Sequence, residues 1–128
     1  MRYLNIGCFP YVLRFCDSQK AWNREIKKLS ADEASWTRRW CNAGTRATAW
    51  QCIDTKGYCS YIVAFDRARL KGVRASVQAG VAAHEAVHVV DWIIERTGEG
   101  HAVGSEWHAY QVQEITEWLV RQLWAVKK

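Results

Sequence analysis

The chain has 128 residues and 49% hydrophobic content, enough for one core and too apolar for a disordered chain, so the expectation is a single domain over residues 1–128. Eighteen Lys and Arg against thirteen Asp and Glu leave a net charge of +5, and five cysteines without a C-x-x-C pair favour reduced thiols over a disulfide framework or a cysteine metal site. No run approaches the roughly eighteen apolar residues of a membrane helix and Met1 to Pro10 lack a signal peptide's apolar stretch, which predicts a cytoplasmic protein without a membrane partner.

Along the chain, Pro10 to Cys16 reads as a first strand. Ser18 then caps a helix over Gln19 to Leu29 with Trp22, Ile26 and Leu29 on one side. Thr48 to Ile53 and Tyr58 to Phe65 are β-rich runs separated by Asp54-Thr55-Lys56-Gly57, a hairpin pattern. Cys52 and Cys59 flank that hairpin and have a spacing that would let them pair if oxidised. Arg67, Arg69, Lys71 and Arg74 follow, within a half of the chain, residues 1–75, that holds fourteen basic against six acidic residues. Residues 76–128 reverse the balance, four against seven. The basic patch fits either an ordinary solvated face or a surface that steers an acidic protein or nucleic acid.

From Val77 to Arg96 the chain is continuously helical in pattern, with Gly98 as its stop. Val77, Val81, Glu85, His88 and Trp92 share one broad face of that helix, predicting a buried helix with its polar exceptions grouped. Within it lies His84-Glu85-Ala86-Val87-His88. Histidines at i and i+4 stand one turn apart, so both imidazoles can reach one zinc ion, with Glu85 beside the position left open for water. The alternative is a core helix whose histidines satisfy backbone groups, which would require separate explanations for two His and a Glu. A catalytic zinc takes a third protein ligand, for which Asp91, His101, Glu106 and His108 are the candidates. Asp91 suits orienting a ligand better than binding metal. His101 lies among Gly98, Gly100 and Gly104, in a connection that must bend, whereas Glu106 opens a second helical run to Ala125 and would be presented rigidly. His108 is two residues from Glu106, so one helix cannot turn both toward the metal.

His84, Glu85, His88 and the later Glu106, followed by Ala109 and Tyr110, resemble the gluzincin metallopeptidases, most of all the very small zincin domains of phage and bacterial proteins, over roughly residues 46 to 125. The resemblance implies an α+β zincin-like fold, with an antiparallel or mixed sheet, a metal helix and a C-terminal ligand-bearing helix. It implies zinc held by His84, His88 and Glu106, and Ser60 to Phe65 as the edge strand that pairs with an extended peptide substrate. The implied activity is peptide hydrolysis with Glu85 as general base. Tyr110, His101 and His108 are the candidate donors to the oxyanion. Two other readings use the same residues: a zinc-stabilised binding, inhibitor or assembly module, and a nucleic-acid-associated protein acting through the basic half.

Overall fold

The run Tyr61-Ile62-Val63-Ala64-Phe65 is apolar at every position, the pattern of a strand covered on both faces, and all five residues are fully buried. They belong to a four-stranded sheet in a computed structural model that describes residues 3–6, 11–29, 45–53, 59–98 and 104–125. Two compact units divide the chain, Met1–Gly72 and Val73–Lys128.

The first unit is α+β. Its strands are β1 (Tyr3–Asn5), β2 (Val12–Cys16), β3 (Ala47–Ile53) and β4 (Cys59–Phe65), in the order β1-β2-β4-β3. β1 pairs antiparallel with β2, β2 runs parallel to β4, and β4 pairs antiparallel with β3 as the hairpin pattern predicts. The turn residues 54–58 lie outside the described residues. Helix α1 (Gln19–Leu29) occupies its predicted span, and the Ser18 hydroxyl accepts from the Ala21 N–H at 3.1 Å to cap it. Trp22 and Ile26 are fully buried and pack with Cys16, Cys52, Ile62 and Ala64, the alternate residues of one sheet face. Burial of Trp22 and Ile26 together removes enough apolar surface to stabilise this layer by several kcal/mol, about 2–3 per side chain.

β4 corrects one expectation. It is an interior strand between β2 and β3, so Ser60 to Phe65 does not form the sheet edge and offers no free backbone to a peptide. Its two-sided apolar composition is the physical reason, since an edge strand is normally blunted by charge or by proline. The pairing of Cys52 with Cys59 that their spacing would allow on oxidation is not formed. Cys52 stands opposite Ser60 and packs with Ile62 and Ala64, whereas Cys59, one residue from Ser60, points to the other face; both thiols are free. Burial pushes the Cys52 thiol up to about 11 and that of Cys16, aided by the charges of Glu25 and Asp17, up to about 12. Both remain protonated and unreactive near neutral pH.

Charge is handled inside this unit by local pairing. Glu25, only 2% exposed, accepts a hydrogen bond from Arg14 Nη1 at 3.2 Å. Its other oxygen accepts no hydrogen bond among the described residues and stands 3.7 Å from Lys28 Nζ. Asp17 accepts from Arg67 at 2.7 Å. Asp66 caps α2 (Arg67–Leu70), a short helix absent from the sequence expectation, by accepting from the N–H groups of Ala68 and Arg69.

The second unit holds α3 (Ala75–Thr97) and α4 (Glu106–Trp124). α3 ends where Gly98 adopts φ +74° and turns its N–H back to Glu95 and Ile94, a left-handed cap that a side chain would strain. α4 begins at Ser105, whose hydroxyl accepts from the His108 N–H at 3.2 Å. The helices run antiparallel: Trp124 Nε1 donates to Gln78 Oε1 at 2.8 Å near one end, and His108 Nε2 meets Asp91 Oδ1 at 3.1 Å near the other. Among the described residues, no helix is long and apolar enough to cross a membrane.

Candidate metal centre

Each residue advances about 100° around an α-helix, so α3 separates into arcs. Ala82, Glu85, Ala86, Val89, Val90, Ile93 and Ile94 form its buried arc. His84, His88 and Asp91, at i, i+4 and i+7, form an exposed stripe on the other side. The histidines therefore face solvent instead of sharing a buried face with Glu85, as the wheel of Val77, Val81, Glu85, His88 and Trp92 suggests. Glu85 is 5% exposed and stands at the margin of the buried arc, about 60° round the helix from His88.

The two imidazoles converge. Nε2 of His84 and Nε2 of His88 are 3.1 Å apart, with ring centroids at 4.8 Å and planes at 79°. Without a shared cation, one nitrogen must carry the proton and the other accept it. Two nitrogens bound at zinc's usual 2.0–2.1 Å in a tetrahedron are about 3.3–3.4 Å apart, so the observed spacing is close to the bite of one ion. His88 also stacks on Trp92, centroids 5.9 Å apart and planes at 26°, which restrains its ring. In donor type, spacing and access, this pair fits a divalent zinc ion.

The rest of the predicted set is arranged differently. Among the described residues, no group of three His, Cys, Asp or Glu side chains is gathered closely enough to hold a metal. Of the candidates on α4, His108 is turned toward α3, through Asp91. Glu106 and Tyr110 each lie two residues from it, on the far side of a helix, and both are exposed, Tyr110 at 62%. The antiparallel register sets α4's first turn beside the part of α3 around Asp91, about two turns from His84. His101 lies outside the described residues.

The pairing of Asp91 with His108 goes beyond the sequence expectation, which makes Asp91 an orienting residue and His108 a candidate oxyanion donor. Nothing local joins residues 17 positions apart across a bend. The only sequence signal is their common helical setting: Asp91 follows His88 by three residues and so neighbours it on α3. Asp91 thus sits about one turn from His88 on one helix and meets an imidazole on the next. Comparison with protein-family models, curated proteins and solved structures gives no match to this chain.

Proposed function

We propose that the chain is a zinc-dependent hydrolase, acting on peptide bonds, with His84 and His88 as metal ligands and Glu85 as general base. The observation that carries this reading is the 3.1 Å approach of the two Nε2 atoms on an accessible helix face, with a carboxylate one residue from His84. Zinc, when bound, supplies a Lewis acid that acidifies water and polarises a scissile carbonyl. Glu85 accepts the proton of the attacking water and returns it to the leaving amine; burial restricts its rotamers, which favours a fixed proton path. Glu106 is the proposed third ligand by resemblance, and it stands on the side of α4 opposite His108. His108, held by Asp91 and turned toward α3, is better supported than Tyr110 as the donor to a developing oxyanion.

A second reading is favoured by a specific observation: the histidines are exposed while Glu85 lies in the buried arc. A zinc-stabilised binding module would need the pair and not the base. The discriminating experiment combines metal analysis with a proteomic cleavage screen of wild type and Glu85→Gln. The hydrolase reading expects about one zinc per chain in both proteins, with turnover in the variant lower by about two to four orders of magnitude. Equal cleavage by both proteins moves the base elsewhere, and zinc without cleavage in either favours the binding module.

A further inference from the structure

Among the described glycines, Gly80 is the one that the backbone does not require. Gly72, Gly98 and Gly104 adopt positive φ, whereas Gly80 lies in the interior of α3 with no such angle. There it weakens the helix relative to alanine, because it exposes more backbone and has more freedom to lose on folding. Close packing does not require it either. A Cβ built at Gly80 would meet nothing within 4 Å, and the residue is exposed. The absent side chain therefore serves neither the conformation of α3 nor its packing, and what it leaves is room.

That room adjoins the histidine pair. Gly80 stands one turn before His84, and long side chains on a helix lean over the turn on their N-terminal side. Around the axis of α3, Gly80 and Val87 flank His84 on one side by about 40° and 60°, while Glu85 lies about 100° away on the other. Val87 is 38% exposed, and Val77 and Val81 are half-buried, so the surface around Gly80 is aliphatic.

The surface is also uncharged. Residues 75–83 contain no Asp, Glu, Lys or Arg, although Ala75, Ser76 and Gly80 are exposed. The amide of Gln78 is engaged at both ends, donating to the Val73 carbonyl and accepting from Trp124 Nε1, each at 2.8 Å. A charged side chain laid here would lose water without gaining a partner, whereas an aliphatic one would gain contact. We propose that Gly80 is a specificity-determining position, which keeps open the place where an uncharged aliphatic side chain of the peptide substrate lies beside the scissile bond. The assignment rests on the hydrolase reading and names the substrate class of that same site.

The test compares wild type with Gly80→Ala and Gly80→Leu, both of which favour the helix more than glycine does. Each metal-free variant is expected to melt at or a few degrees above wild type, and each should bind zinc as wild type does. Two zinc-chelating probes then measure the space. Acetohydroxamate reaches only the metal, and N-acetyl-leucine hydroxamate adds a peptide unit with an aliphatic side chain. Acetohydroxamate should bind all three zinc-loaded proteins alike, whereas the leucine probe should bind Gly80→Leu at least about tenfold more weakly than wild type, with Gly80→Ala between them. Unchanged affinity of Gly80→Leu for the leucine probe overturns the assignment, as does an equal loss for both probes, which places the damage at the metal. Lower melting temperatures in both variants would give Gly80 a structural role and also overturn it. Wild type that binds no zinc, or that binds zinc but not acetohydroxamate, overturns the hydrolase reading together with this assignment, and the wild-type measurement alone distinguishes that failure.

Discussion

The sheet unit and the helical unit place their polar residues in opposite ways. In Met1–Gly72, Glu25 is buried under α1 against Arg14, Asp17 is tied to Arg67, and Asp66 caps a helix, so the described carboxylates serve the fold. In Val73–Lys128, His84 and His88 converge on an exposed stripe of α3, and Asp91 on the same stripe meets His108 of α4. Polar residues within a fold's internal network are best explained by stability. Polar residues that converge on an exposed face add little to stability by themselves, so the proposal gives this pair a ligand.

Substitutions in the first unit should therefore act on stability, with the largest effect in its core. Trp22→Ala removes a fully buried indole from the layer between α1 and the sheet and should cost about 3–5 kcal/mol, measured by urea denaturation. A cost below about 1 kcal/mol would mean that α1 is not held by this layer. Arg14→Met leaves the Glu25 carboxylate buried with only its more distant cations, and should cost about 2 kcal/mol. Glu25→Gln added to Arg14→Met should restore part of that stability, and no restoration would show that Arg14 acts through packing alone.

The second unit should respond differently at its helix end and along its stripe. Gly98→Ala forces a Cβ into a φ of +74° and should cost about 1–2 kcal/mol, although open space surrounds the position. His84→Ala and His88→Ala remove exposed side chains and should change the stability of the metal-free protein by no more than about 0.5 kcal/mol. Larger effects would show that the pair belongs to the folding network and would weaken the contrast between the units.

Much of the element order is legible in the sequence because local signals agree. Ser18 and the Trp22–Ile26 spacing define α1, two β-rich runs define the β3–β4 hairpin, and Gly98 ends α3 at the expected place. The H-E-x-x-H spacing likewise foretells that His84 and His88 converge. Sheet order is harder to read: β1 is only three residues long, and the position of β4 between β2 and β3 depends on a parallel pairing between distant segments. The orientation of α3 departs from the sequence expectation for a related reason. A helical wheel relates residues to one another and not to the rest of the fold, and Ala82, Ala86 and Val90 draw the buried arc away from the histidines while Glu85 remains at its margin. Glu106 and His108 cannot both face α3, and His108 turns there through a long-range hydrogen bond with Asp91 that periodicity does not encode.

The most direct test of the metal site is zinc stoichiometry, measured by equilibrium dialysis and elemental analysis on wild type, His84→Ala and His88→Ala, with folding checked by circular dichroism. Wild type is expected to hold about one zinc per chain and each folded variant to lose most of it, because both imidazoles are needed for one site. Stoichiometric zinc retained by both variants, or no zinc bound by wild type, would contradict the assignment of His84 and His88 as ligands.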